Sequence, residues 1–304
     1  MNLKGKLKKL AVTVLDPCVR AVCKKPKIAS REETVRKIVE EHCSISRFGD
    51  GDLGLLFGLL EGYQKCDDRL SARLKEVLSY HGDDRLLIGL SRAIFVSKKY
   101  FYPKYRVKYL LKINRLLDKK KQYYYTDISR FYHSSEDGKR ELEYVRQLKQ
   151  IWDQREITIV EGEKTRMGVG NDLFDNAKRI RRILCPAENA FFHYDEIHAA
   201  VLNRVPRDEL VILALGPTAT ILAYDLFREG YQAVDLGHAD ISYEWYLRGV
   251  KNASERIAVP GKYTNEANGG SVVEDNYNPQ YQSQIIAVVG TESADIPDAN
   301  TEHG

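Results

Sequence analysis

The chain has 304 residues, of which 43% are hydrophobic and 30% are charged, a composition typical of globular domains. No stretch approaches the roughly 18 consecutive apolar residues of a membrane-spanning helix, and five cysteines without a CxxC pair argue against a zinc module or a disulfide framework and favour a reducing, cytoplasmic setting. The net charge is +4, but no Lys or Arg follows Lys262. The basic body before it suits a nucleotide, a phosphorylated substrate or an acidic membrane face, although a solvated basic surface explains the same excess.

Residues 1–29 are predicted to form a basic amphipathic segment. The apolar run at residues 10–15 is shorter than the roughly 7–15 residues of a secretory signal, and Asp16 and Pro17 interrupt it. Such a helix can lie on an anionic surface, which predicts a cytoplasmic protein with peripheral contact to the inner face of the membrane. An ordinary capping helix is the alternative. The lysines and leucines that carry this pattern are Leu3, Lys4, Lys6, Leu7, Lys8, Lys9 and Leu10.

Residues 30–253 alternate between short apolar runs and segments with helical periodicity. Helices are predicted at residues 135–152 and 217–229, the second with Pro217 in its first turn and Gly230 after its end. This alternation predicts an α/β, Rossmann-like fold, with a mostly parallel sheet and helices on both faces. The predicted strands are residues 157–160, 180–184, 210–215 and 232–236.

Two further segments differ in composition from the rest. Residues 98–132 are rich in Tyr and Lys, which can bind single-stranded nucleic acid, line a carbohydrate site or simply pack helices. Since no nucleic-acid-binding module accompanies them, no nucleic-acid partner is expected. Residues 254–304 are polar and acidic, apart from one apolar run at residues 285–289, and are predicted to be a loosely attached tail.

The first motif that can carry chemistry follows a strand-like run at residues 44–48. It places Asp50 and Asp52 on a turn that also contains Gly49 and Gly51. An acid–x–acid pair in such a turn can hold one hard cation, which in turn holds a diphosphate. By itself this pattern is weak, since two other acid–x–acid triplets occur in the chain.

The second motif is the loop at residues 163–170, between a predicted strand and a predicted helix start near Asn171. Lys164, Thr165 and Arg166 precede Gly168 and Gly170, so cations and backbone amides are combined as in an anion-binding site. Neither the P-loop motif nor the dinucleotide-binding glycine motif is present in its standard form.

The third motif combines residues 215–220 with residues 235–245, each following a predicted strand. His238 can serve as a metal ligand, while Asp240 or Glu244 can serve as a general base for a sugar hydroxyl. Structural roles, with His238 in a loop and Glu244 facing solvent, are the alternative.

Taken together and in this order, these segments resemble the GT-D glycosyltransferases, a family first catalogued as a domain of unknown function in bacterial surface-glycan and adhesin-glycosylation loci. The resemblance covers roughly residues 30–250. The matching motifs are Arg47-Phe-Gly-Asp-Gly-Asp52, Val160-Glu-Gly-Glu-Lys-Thr-Arg166 with Gly168-Val-Gly-Asn-Asp-Leu-Phe174, Leu215-Gly-Pro-Thr-Ala-Thr220 and Asp235-Leu-Gly-His238.

The resemblance implies transfer of a hexose, typically glucose, from a UDP-sugar to a glycan or glycoprotein acceptor, with Mn²⁺ or, in its place, Mg²⁺. The family's acid–x–Glu metal motif matches Asp50 and Asp52, where Asp52 is one methylene shorter than the family's Glu, and His238 is the third predicted metal ligand. Glu244 is the preferred general base and Asp240 the second candidate. The predicted substrate-binding residues are Arg47, Gly49, Lys164, Thr165, Arg166, Asn171 and Thr218.

Two alternatives from other classes remain open at this point. A nucleotide-dependent oxidoreductase is compatible with a Rossmann-like fold, although the dinucleotide motif is missing. A noncatalytic, membrane-associated scaffold of a glycan pathway would carry the same acids only as surface groups. Metal-dependent hydrolysis of a UDP-sugar without acceptor would separate a glycosyltransferase from both.

Overall fold

The computed structural model describes residues 3–23, 25–58, 64–91, 93–96, 103–131, 138–264 and 278–290. The strands in this part of the chain are β1 (Lys27–Ile28), β2 (Ser44–Phe48), β3 (Leu86–Leu90), β4 (Gln122–Tyr125), β5 (Glu156–Gly162), β6 (Arg179–Cys185), β7 (Leu210–Ala214), β8 (Ala233–Asp235) and β9 (Ile285–Val288). The α-helices are α1 (Leu3–Val22), α2 (Arg31–Glu40), α3 (Asp50–Leu55), α4 (Asp68–Leu78), α5 (Ala93–Val96), α6 (Pro103–Leu116), α7 (Gly138–Lys149), α8 (Tyr194–Arg204), α9 (Pro217–Arg228), α10 (Ala239–Leu247) and α11 (Pro279–Ser283).

Within the described ranges the strands form one nine-stranded sheet in the order β1-β4-β3-β2-β8-β7-β5-β6-β9, and every pairing is parallel. Side chains alternate between the two faces of each strand. In β7, Val211 and Leu213 join the core under α4, α8 and α9, while Leu210 and Ile212 join the core under α2, α7 and α10. The predicted α/β architecture with helices on both faces is therefore confirmed.

The four predicted strands all occur, with bounds within one or two residues of the predicted runs. Helix α9 begins at Pro217, as predicted, because proline fits the first turn, where its missing N–H leaves no bond unmade. The predicted helix at residues 135–152 is α7 in its described part; residues 132–137 lie outside the described ranges. Of the Tyr-rich stretch, Tyr109, Tyr123 and Tyr124 are buried in the core, which matches the packing alternative at those positions.

The segment after residue 254 differs from the expected loose tail in its described part. Strand β9 pairs with β6, and the Arg182 side chain of β6 donates through Nε to the side-chain oxygen of Gln284 at 2.7 Å. The backbone bond from Arg182 N to Gln284 O adds to this attachment. Five apolar residues within a polar segment give a weak sequence pattern, but one strand is enough to extend an existing sheet edge. The rest of the predicted tail, residues 265–277 and 291–304, lies outside the described ranges.

At the other end of the chain, α1 continues through Asp16 and Pro17, the two residues that end the apolar run. Asp16 is buried and pairs with Arg20 at 3.2 Å, and Val19 and Cys23 pack against the core. The side chains of the lysines and leucines at residues 3–10 lie outside the described part of the structure. None of the described helices is long and apolar enough to cross a membrane.

Candidate active site

A cavity of about 300 Å³ opens at the carboxyl ends of the central strands, where parallel α/β sheets bind their ligands. The loops after β2, β4, β5, β7 and β8 contribute to its wall. It brings the three sequence motifs together at one place. The predicted site residues that line it are Arg47, Gly49, Asp50, Asp52, Thr165, His238 and Asp240.

Arg47, near the end of β2, connects three residues that line the cavity. Its guanidinium donates to the backbone oxygen of Thr126 at 2.8 Å, to the hydroxyl of Ser129 at 3.0 Å and to Asp235 Oδ1 at 3.1 Å. A Cβ at Gly237, which has a φ of +49°, would lie 2.3 Å from the Arg47 guanidinium, so that turn requires glycine. Arg47 therefore positions the residues around it, because its planar guanidinium donates to several acceptors at once.

The two acids of the first motif occupy different environments. Asp50 is exposed at the start of α3, whereas Asp52 accepts a hydrogen bond from the Gly49 N–H at 2.9 Å. Burial raises the pKa of Asp52 to about 7 against the lowering effect of that N–H, and the Asp235 carboxylate adds to the rise. Burial also raises the pKa of Asp235, although Arg47 lowers it. Asp52 and Asp235 are thus neighbouring carboxylates whose charged forms are disfavoured by burial.

This donor set suits a hard divalent cation, because such a cation prefers carboxylate oxygens and would relieve the repulsion between neighbouring carboxylates. His238 lines the same cavity from the N-cap position of α10. In the described ranges, however, no three His, Cys, Asp or Glu side chains are grouped closely enough to form a metal site. Manganese, magnesium and their ligands accordingly remain predictions.

The loop at residues 163–170 differs from the predicted anion site. Two of its amides are already used, since Met167 N donates to Glu161 at 2.7 Å and Gly168 N donates to Asp240 at 2.8 Å. No helix begins near Asn171, as residues 171–176 form bends and turns. These amides therefore bind carboxylates of the protein itself, Glu161 on β5 and Asp240 on α10, instead of an external anion. The glycine pattern alone does not predict this arrangement.

The cations of this loop have separate positions. Lys164 is exposed, with Nζ 6.0 Å from the ring of Tyr263, which lines the cavity. The Arg166 guanidinium lies 5.9 Å from the ring of Tyr281 and does not line the cavity. Lys164 is thus placed at the rim beside an aromatic wall, while Arg166 points towards α11.

Asp240 lines the cavity, but its carboxylate is heavily engaged. Oδ1 accepts from Gly168 N and from Asn171 Nδ2 at 2.9 Å, and Oδ2 accepts from Lys262 Nζ at 2.7 Å. Lys262 itself is buried and belongs to the segment that the sequence assigns to the tail. The Asp240–Lys262 pair therefore ties that segment to the cavity wall.

Glu244, which the sequence predicts as the general base, is 4% exposed and does not line the cavity. It accepts from Asn171 Nδ2 at 2.7 Å and pairs with Arg248. The flanking aromatic residues face the interior: Tyr243 packs edge-on against Phe131, and Trp245 donates to the backbone oxygen of Ile257. This geometry disfavours Glu244 as a base, because a base must reach the proton that it removes.

Thr220, and not the predicted Thr218, lies at the cavity. Thr218 is fully buried outside the cavity, whereas Thr220 lines it and donates to the backbone oxygen of Arg47 at 2.8 Å. The cavity residues that sequence reasoning missed include Thr126, Ser129, Asp235, Tyr263 and Thr264. The first three follow or end strands β4 and β8, which could have identified them; nothing in the sequence pattern identifies Tyr263 and Thr264.

The profile of the glycosyltransferase GT-D fold matches residues 45–267, which include every predicted site residue and the cavity-lining Tyr263 and Thr264. This chain belongs to the GT-D family. The resemblance inferred from the four motifs is thereby confirmed, and GT-D membership replaces the oxidoreductase alternative.

Solved GT-D structures superpose closely on this chain. One, described as a highly conserved domain of unknown function 1792 with a distinct glycosyltransferase fold, has a TM-score of 0.81 and 34% identity, covering 92% of this chain and 100% of that one. Another, described as a new glycosyltransferase from Streptococcus sanguinis, has a TM-score of 0.79 and 35% identity, covering 86% and 99%.

Two streptococcal relatives are longer than this GT-D chain. A probable glycosyl transferase Gly of Streptococcus gordonii is 37% identical over 270 residues, which are 87% of this chain and 39% of that protein. The glycosyltransferase GlyD of Streptococcus pneumoniae serotype 4 is 34% identical over 261 residues, 84% and 32% of the two chains. The chain thus spans less than two fifths of the length of either relative.

Proposed function

We propose that this GT-D chain transfers a hexose, with glucose as the first candidate, from a UDP-sugar to a glycan or glycoprotein acceptor, using Mn²⁺ or Mg²⁺. The observation that carries the proposal is the cavity itself. It lies at the carboxyl edge of a parallel sheet and is lined by Asp50, Asp52 and Asp235, the last of which is bound by Arg47. Carboxylates at such an edge suit a cation-bound diphosphate better than a neutral ligand.

Asp50 and Asp52 are the proposed cation ligands, with His238 as the third candidate. When bound, the divalent cation would neutralise the charge that develops on the departing UDP. The start of α9 is the proposed support for the diphosphate, because its N-cap residue Gly216 lines the cavity and helix N-termini favour anions. Lys164 adds a cation at the rim, and the half-buried Tyr263 offers an aromatic face to a sugar or a uracil ring.

Asp240 and Glu244 receive a different role from the one that the sequence predicts. Together they hold Asn171, and Asp240 also holds the Gly168 amide, so both fix the loop that carries Lys164 and Thr165. Both oxygens of the Asp240 carboxylate already accept hydrogen bonds, one of them from the buried Lys262. We therefore assign both as positioning residues.

Calorimetry with UDP and UDP-glucose, with and without Mn²⁺, tests the donor and the cation together. We expect UDP binding that depends on the cation, and slow hydrolysis of UDP-glucose in the absence of acceptor. Binding of UDP without any turnover would favour a noncatalytic scaffold. No binding of UDP or of any UDP-sugar in the presence of Mn²⁺ or Mg²⁺ would contradict the proposed donor.

A further inference from the structure

Helix α1 has one face fixed to the protein. It packs against α6, and its inward side carries the buried Asp16–Arg20 pair together with Val19 and Cys23. The orientation of α1 in its second half is therefore set by contacts with the body of the protein. The face that points away from α6 is also determined by this packing.

That outward face is apolar. Val14 is 60% exposed, Leu15 is 47% exposed and Val22 is 73% exposed, and Cys18 between them is exposed as well. Residues 14, 18 and 22 are spaced by four, so they form one row along the helix. Exposed apolar side chains that share one helix face, rather than lying singly, make that face a candidate interaction site.

The charge around this row indicates what covers it. Residues 1–27 contain eight basic residues and one acid, and that acid, Asp16, is the buried partner of Arg20. In the sequence, Leu3, Leu7 and Leu10 precede Val14 at intervals of three or four, with lysines among them. A helix that combines an apolar row with a strongly basic sequence has the composition of helices that lie in the interface of an anionic membrane.

We propose that the outward face of α1, with Val14, Leu15 and Val22, docks on an anionic membrane surface and holds the enzyme there peripherally. The apolar side chains enter the boundary between headgroups and acyl chains, and the positive charge of residues 1–27 attracts the anionic headgroups. Because α1 is packed on α6, docking requires no unfolding or release of the helix.

Co-sedimentation of the full chain with vesicles tests this, using phosphatidylcholine alone or mixed with phosphatidylglycerol. We expect binding only to the mixed vesicles, weakened by salt. The double substitution Val14→Ser/Val22→Ser removes apolar contacts at exposed positions and should reduce binding about tenfold or more. The substitution of Lys4, Lys6, Lys8 and Lys9 by Gln should reduce it by a similar factor.

The matched control is Leu142→Ser/Ile257→Ser, because these side chains are apolar and 42% and 46% exposed, but lie elsewhere on the surface. This control should bind like the wild type, and thermal unfolding should show that all variants remain folded. Equal binding of wild type and Val14→Ser/Val22→Ser, or no binding to mixed vesicles, would overturn the proposal. A dimer in sedimentation equilibrium that Val14→Ser/Val22→Ser dissociates would assign the face to a second copy instead.

Discussion

The acidic residues at this edge of the sheet fall into two groups that differ in their exposure and in the partners that hold them. At the end of β2, Asp50 is exposed and lines the cavity, while Asp52 accepts a hydrogen bond from the Gly49 N–H and lies near Asp235. On α10, Asp240 and Glu244 are buried, and each is held by Asn171 and by a cation. The second group is paired with cations of the protein itself, whereas the first is the better candidate to hold an external cation.

The partners of these acids distinguish functional from structural carboxylates better than their spacing in the sequence does. Both groups consist of two acids a few residues apart, after a strand, at the same edge of the sheet. Only the partners distinguish them, and Lys262 lies 22 residues from Asp240 along the chain. An exposed carboxylate that lines the cavity is a better candidate for chemistry than a buried one held by a lysine or an arginine, because a ligand can reach it.

The largest effect is expected from Asp50→Asn, which removes a cavity charge at nearly constant volume. Loss of several kcal/mol of charge stabilisation corresponds to a fall in turnover of about 1,000-fold, with thermal unfolding unchanged because Asp50 is exposed. Steady-state kinetics with UDP-glucose measure it.

Asp68→Asn is the matched control, since Asp68 is also an exposed acid that begins a helix but lies outside the cavity. It should leave turnover unchanged. Full activity of Asp50→Asn would mean that the cation ligands lie elsewhere. It would contradict the functional role proposed for the acids that follow β2.

Lys262→Met is the strongest test of the second group. It leaves Asp240 buried without its cation, and breaking a buried pair in this way costs about 3–5 kcal/mol. Denaturant unfolding should show that loss in the free energy of unfolding. Lys164→Met, at an exposed lysine of the rim, should leave unfolding unchanged and weaken UDP binding instead. Equal stability of the two variants would mean that the Asp240–Lys262 pair does not support the loop.

The sequence predicts the fold much better than the partners within the site. The strands β5, β6, β7 and β8 follow from local apolar runs, and α9 follows from Pro217 and Gly230, because these patterns act over a few residues. Strand β9 was not predicted as part of the sheet, since its pairing with β6 is a contact between distant segments.

The same limit explains the site. The sequence predicts that Arg47, Asp50, Asp52 and His238 meet, because all lie in or directly after strands of one parallel sheet. It does not predict that Glu244 faces inward, because helical spacing fixes which residues share a face but not which way that face turns. That direction depends on Asn171 and Arg248, which hold Glu244 only in the folded chain.

Glu244→Gln distinguishes positioning from catalysis. A glutamine keeps an oxygen for Asn171 but loses the charge that pairs with the partly exposed Arg248, so we expect a loss of about 1 kcal/mol of stability or less. Turnover should fall by less than about tenfold, whereas loss of a general base would cost about 10²–10⁴-fold. A fall in that larger range, with unchanged UDP affinity and stability, would restore Glu244 as the base and contradict the assignment made from its partners.

The smallest effect is expected from Thr218→Val, set against Thr220→Val. The Thr218 hydroxyl is buried and finds no hydrogen-bond partner among the described residues, so replacing it by a methyl group of similar shape should leave stability unchanged or slightly raised. Thr220→Val removes the bond to the Arg47 backbone oxygen and should cost about 1 kcal/mol. Since Thr220 also lines the cavity, only this variant should weaken UDP binding in calorimetry. A loss of UDP affinity in Thr218→Val with unchanged stability would show that the buried hydroxyl turns towards the ligand on binding, and Thr218 would then join the site that the sequence assigned to it.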